Sequence, residues 1–134
     1  MKKRLGTFIS ALLFCLLCLP GVCLAAEFTV DNLKYNTTGD DTVEVVGMVN
    51  PLPEPGELVI PAKVTYDSKE YTVTAIGREA FSGTNANYTK AKSIKTIQFP
   101  NTLIRIEYEA FWRCENLTGE LIIPDSVKYI GDNA

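Results

Sequence analysis

Histidine is absent from all 134 residues. That removes the imidazole needed for Ser–His and Cys–His nucleophiles, and with it the commonest metal ligand. Of the four cysteines, Cys15, Cys18 and Cys23 lie in an apolar stretch at the start of the chain, and Cys114 stands alone. Arg113 beside Cys114 would lower the thiol pKa only if the two met in space. The place of Cys114 in the pattern described below favours burial as a small hydrophobe instead. Carboxylates are the remaining candidates. Asp40-Asp41 sits in turn chemistry, and Glu107 and Glu109 flank Tyr108 as a solvated face would. A glycosidase needs two carboxyls facing one cleft, roughly 5–9 Å apart, and the sequence shows no such pairing. The reading is of a chain that is not an enzyme, with no catalytic residues, no cofactor and no metal.

The elements that carry these residues begin after a targeting segment. Lys2, Lys3 and Arg4 precede "FISALLFCLLCL" (8–19), then Pro20, Gly21 and the small-residue "CLAAE" (23–27). A basic start, a short apolar run and an alanine-rich site make a secretory signal peptide over 1–26. The run is shorter than the roughly 20 residues that span a bilayer, so no membrane span is expected in the mature chain. Val22 stands where a bacterial lipobox wants a small residue before Cys23, which favours ordinary cleavage near Ala25 or Ala26 over a lipid anchor. Cleavage before Glu27 leaves ten basic against sixteen acidic side chains. Such an acidic surface argues against nucleic acid or an anionic membrane as a partner. Cys114 then has no partner for an internal disulfide.

Residues 27–57 read as a small N-terminal β-rich element. "EFTVDNLKYN" (27–36) and "TVEVVGMVN" (42–50) are strand-like, "TTGDD" (37–41) is a turn, and "PLPEPG" (51–56) closes the element as a rigid connector. From 58 to 134 the chain repeats itself. Leu58, Ile60 and Pro61 match Ile97, Phe99 and Pro100, then Leu121, Ile123 and Pro124. An aliphatic follows three residues later (Val64, Leu103, Val127), then Ile76, Ile106 and Ile130, and then Ala80-Phe81, Ala110-Phe111 and Ala134. Between the second and third units every landmark advances by about 24 residues, inside the range of leucine-rich repeats. Alternate apolar residues such as Ile97 and Phe99 face one side of a short strand, which proline ends for want of an N–H. "YEAFWRC" (108–114) is long enough for one or two helical turns. The first unit carries a hairpin insertion, "TYDSKEYTV" (65–73), and "SGTNANYTKAK" (82–92) reads as a polar surface loop. Ala134 ends the third unit before its aromatic, so that unit is expected to be incomplete and the chain a fragment of a longer array.

"IPDSVKYIGDNA", "FPNTLIRIEYEAF" and "IPAKV…VTAIGREAF" resemble the leucine-rich repeats of the Bacteroides surface protein A-like (BspA-like) family, also represented in treponemal surface proteins. The resemblance covers about 58–134. It departs from the family at Glu107, where the usual glycine is missing, and at "NLTGELIIP" (116–124), which holds one residue more than "SIKTIQFP" (93–100). The expected fold is an α/β solenoid, mostly β, with coils of about 24 residues behind the N-terminal element. The resemblance implies a secreted or cell-surface adhesion module, of bacterial origin, that contacts host extracellular-matrix or cell-surface proteins, or other bacterial cells. A structural spacer, carrying another functional domain beyond residue 134, is the rival reading. Repeat arrays recognise partners on extended repeated surfaces, which nominates the outward strand residues Thr96, Gln98, Glu120 and Ile122. Tyr108, Trp112 and Tyr129 are candidate aromatic anchors. Asn36, Asn87 and Asn116 begin glycosylation sequons, which chance explains in Asn/Thr-rich loops of a bacterial protein.

Overall fold

A computed structural model describes residues 25–134. The signal peptide expected over 1–26 therefore lies, up to residue 24, outside the described residues, as does Cys23. Strands β1 (Glu27–Val30), β2 (Leu33–Thr37) and β3 (Thr42–Met48) form an antiparallel meander. The sequence reading had two strands here. The first divides because Asp31 takes a left-handed φ of 53° in the two-residue turn that pairs Val30 with Leu33, a conformation a short Asp side chain tolerates. The inward positions of this meander, Phe28, Tyr35, Val43 and Val45, are all buried.

The connector leads to β4 (Glu57–Val59). Gly56 starts it with φ +81°, and a Cβ there would lie 2.5 Å from the Ser93 carbonyl oxygen. Its own carbonyl accepts the N–H groups of Lys95 and Thr96, so the residue requires both the left-handed backbone and the missing side chain. The hairpin insertion appears as β5 (Lys63–Tyr66) and β6 (Lys69–Ile76), antiparallel across Asp67 and Ser68, both with positive φ. Strands β7 (Thr96–Gln98), β8 (Arg105–Ile106) and β9 (Tyr129–Ile130) complete the set.

Two ladders organise the repeats. In the larger sheet β3, β6, β8 and β9 run parallel, with Val45, Ile76, Ile106 and Ile130 in register. The smaller sheet pairs β4 with β7 in parallel, Leu58 beside Ile97. The connections between ladders repeat as closely as the strands. Gly77 N–H donates to Val45, Glu107 N–H to Ile76 and Gly131 N–H to Ile106. Phe81 N–H donates to Ala110 and Phe111 N–H to Ala134. Three residues past each isoleucine, Glu79, Glu109 and Asn133 all adopt φ between 51° and 56°. Between the ladders lie Leu58, Ile60, Ile76, Phe81, Ile94, Leu103 and Ile106, all buried.

Three expectations change. Residues 82–92 are not a plain loop. A 3-10 turn at Asn85–Asn87 leads into helix α1 (Tyr88–Ser93), which buries Ala91, and Ile94 follows it into the core. Ser93 then ties the helix to the connector: its hydroxyl accepts the Leu52 N–H at 2.8 Å and donates to the Lys90 carbonyl at 2.6 Å. "YEAFWRC" makes tight turns and no helix, because the positive φ of Glu109 and Arg113 interrupts any right-handed run. Leu121–Ile123 forms no strand, and β7 pairs with β4 alone. Around it Thr118 N–H donates to Lys95 and Lys128 N–H to Ile104, yet among the described residues nothing from 119 to 126 bonds to β7. In the preceding pair Lys95 bonds Gly56. The repeat spacing puts Gly119 at the equivalent place, and Thr118 holds it instead. The one extra residue in 116–124 thus shifts the register at the point where pairing should begin.

Candidate functional site

The unpaired side of β7 opens onto a groove of about 640 Å³. Thr96 and Gln98 line one wall, Glu120 and Ile122 the other, with Glu57, Asn101 and Pro124 at its margins. The four residues that the sequence pattern nominated as an outward row all line this groove. Strand alternation explains the β7 wall: Ile97 and Phe99 turn into the protein, so Thr96 and Gln98 turn out. Glu120 and Ile122 lie in a segment that forms no strand and is exposed throughout, Ile122 at 66%. Gln98 donates an amide hydrogen to the Glu57 carboxylate, which sets the first rung of the groove. Glu57, at the end of the connector, is a lining residue that the pattern did not single out. It sits one position ahead of the repeat landmark Leu58, equivalent to Thr96 in the next unit, and that equivalence could have found it.

The three nominated rings lie elsewhere, and none lines the groove. Tyr129 belongs to β9, in the other sheet, and the Arg105 guanidinium covers its ring at 4.5 Å. Arg105 is held in turn by Glu107 at 2.6 Å, whose hydrogen bond and charge raise the Arg105 pKa. Tyr108 carries the Arg78 guanidinium, also at 4.5 Å. A hydrogen bond with Glu109, with a smaller contribution from burial, raises the Tyr108 hydroxyl pKa. These rings therefore bridge successive units by cation–π contact. Trp112 is 39% exposed, and its carbonyl accepts the Gly83 N–H. Glu107, the departure from the usual glycine, stands where the neighbouring units have Gly77 and Gly131.

The residues with nucleophilic or acid–base potential are dispersed. Cys114 is buried, its thiol 3.3 Å from the Phe81 carbonyl, and burial pushes its pKa up to about 12. Glu44 is half-buried beneath Gly77. Desolvation raises its pKa, the negative charge of Glu107 adds to that, and a hydrogen bond with Asn36 opposes it. Among the described residues, no group of three or more His, Cys, Asp or Glu side chains is placed to hold a metal ion. No helix among them is long and apolar enough to cross a membrane.

Comparison with known proteins agrees with this geometry. The family described as BspA type leucine rich repeat region (6 copies) matches residues 74–134. No curated protein matches the chain. Among solved structures, a leucine rich cell surface protein from Faecalibacterium prausnitzii is 25% identical with a TM-score of 0.62, the match covering 79% of this chain and 26% of that one. A leucine-rich repeat protein from Bacteroides ovatus is 27% identical with a TM-score of 0.52, over 78% of this chain and 31% of the other. A third, from Bacteroides capillosus, is 25% identical with a TM-score of 0.55, over 80% of this chain and 93% of the other. The chain spans about a quarter to a third of the first two. The fold is that of a leucine-rich-repeat protein, mostly strand with little helix, and residues 74–134 are repeats of the BspA type.

Proposed function

We propose that this chain is a secreted or cell-surface interaction module that binds through its repeats and performs no catalysis. In this reading the two parallel ladders are one face and the opposite face of a solenoid, whose regular coils advance by about 24 residues. The partner is a host extracellular-matrix or cell-surface protein, or a component of another bacterial cell. The observation that carries the reading is the groove beside β7, where Thr96, Gln98, Glu120 and Ile122 converge. It mixes exposed apolar surface with polar and acidic groups, the composition of a protein-recognition patch. Export follows from the signal-peptide pattern of residues 1–26. Similarity to a cell surface protein of Faecalibacterium prausnitzii supports the same location.

The test is binding of the purified, exported chain to immobilised matrix proteins and to whole bacterial cells. Saturable binding is expected to at least one of them. Thr96→Lys combined with Ile122→Lys is expected to weaken it at least tenfold, whereas Asp40→Lys, in the β2–β3 turn outside the groove, leaves it unchanged. A chain that binds none of these surfaces, or a groove variant that binds as well as the original, would reject the reading in favour of a spacer.

A further inference from the structure

We propose that the slot between β7 and Glu120–Ile123 takes an extended peptide as an added strand, one whose residues alternate between apolar and basic. The inference rests on the binding function proposed above and specifies its partner.

Three observations lead to it. First, β7 has a free edge. Thr96 donates its N–H to Gly56 and Gln98 accepts from Ile60, so alternate residues of β7 serve β4. In a parallel pair the residue between them presents its N–H and C=O to the other side. Among the described residues, Ile97 therefore offers an unpaired donor and acceptor toward the slot. Free strand edges of this kind recruit extended segments, whose main-chain bonds supply affinity while alternate side chains supply specificity.

Second, the two faces of the slot differ sharply in chemistry. On the inner face, Ile97, Phe99, Leu121 and Ile123 border an apolar hollow of about 400 Å³ that continues to Ile106 and Ile130. On the outer face lies the polar groove of Thr96, Gln98 and Glu120. Side chains of an added strand point alternately to the two faces, so one set enters the hollow and the other lies along the groove.

Third, the charged residues that line the outer groove, Glu57 and Glu120, are both acidic. Lysine or arginine at the outward positions of the peptide meets complementary charge there, and glutamate or aspartate meets repulsion. The occupant is thus an extended segment reading apolar, basic, apolar, basic.

The proposal is tested with the full exported chain and two labelled, end-blocked hexapeptides, one alternating lysine with valine and the other glutamate with valine. Fluorescence anisotropy is expected to show the lysine peptide binding at least tenfold more tightly than the glutamate peptide. Glu57→Lys with Glu120→Lys, both at exposed positions, is expected to reverse that order. Amide exchange at Ile97 is expected to slow when the lysine peptide is bound. Failure of both peptides to bind, or equal binding of both to the original and the charge-reversed chain, would overturn the slot. So would an Ile97 amide already protected in an oligomer of the chain itself, which would assign the edge to a second copy. If these failures occur while matrix or cell binding persists, the binding function stands and only the peptide slot falls. If matrix and cell binding fail as well, both fall.

Discussion

Burial, more than its basic neighbour, decides the chemistry of Cys114. Arg113 adjoins it in sequence, yet the thiol points to the Phe81 carbonyl inside the fold and its pKa rises from 9.0 to about 12. Tyr35, 1% exposed, behaves likewise: burial chiefly, with the charge of Asp31, lifts its hydroxyl from 10.0 to about 12. Both groups hold their protons in the native state at pH values where the unfolded chain has lost them. From about pH 9 upward the unfolded state therefore binds fewer protons than the native one, and stability falls as pH rises toward 12. Below pH 9 these two groups contribute no slope. Urea unfolding at a series of alkaline pH values is expected to show this decline, and Cys114→Ala is expected to reduce it, beginning near pH 9. In the same preparation a thiol reagent at pH 8 should modify Cys114 only as fast as the chain unfolds. Rapid modification of the native protein would contradict the buried, protonated thiol. Burial of Cys114 was legible in the sequence, because its position after Ala110-Phe111 belongs to the repeat. Its bond to Phe81, from the neighbouring unit, was not.

The aromatic position of each unit joins neighbouring elements. Phe81 stacks on Phe111 with ring centroids 5.2 Å apart, and Phe99 meets Phe111 edge-on at 5.8 Å. Phe81 is only 2% exposed, whereas Phe111 borders the open hollow. Large-to-small changes at buried phenylalanine cost about 3–5 kcal/mol, through lost transfer energy and the cavity left behind. Phe81→Ala is expected to fall in that range and Phe111→Ala below it, since Phe111 has less burial to lose. The midpoint of urea unfolding measures both, and an equal loss at the two positions would show that the hollow is closed in solution. Landmarks such as Ile76, Ile106 and Ile130 were legible as a repeat, since each is a local pattern copied at fixed offset, but their pairing in the larger ladder was not, because the alternation marked strands only before the prolines. Helix α1 was hidden because its anchors, Ala91 and Ile94, are few and lie in a polar stretch. The missing third strand was hidden for a different reason. Leu121 and Ile123 have the right alternation, and only the one-residue excess before them, a matter of register, decides against pairing. The groove followed the same division: Thr96 and Gln98 could be read from alternation on β7, whereas the opposite wall at Glu120 and Ile122 depends on that failed pairing.

At the scale of the whole molecule, the described residues bury their apolar surface unevenly. The end nearest the N-terminus is covered by the β1–β3 meander, which joins the repeat ladder through β3 and β6. At the β9 side Leu121, Ile123 and Ile130 are 52%, 38% and 55% exposed around the 400 Å³ hollow, and β9 pairs on one edge only, with β8. A contiguous apolar surface next to a free strand edge is the combination that promotes association. An acidic net charge opposes this only at a distance, because salt screens it beyond about 8–10 Å. Contact therefore wins once two molecules meet. We expect residues 25–134, prepared without the segment before them, to self-associate in physiological salt, with a sedimentation coefficient that rises with concentration. Leu121→Lys with Ile130→Lys should shift the preparation toward monomer while the far-ultraviolet circular dichroism stays the same, since both side chains are already more than half exposed. Because the opposite end is covered, pairing at the β9 edge is isologous and closes at a dimer, and it leaves the β7 edge and the Ile97 amide open. A species that grows without limit, or a monomer at every concentration, would contradict this account of which surfaces are open.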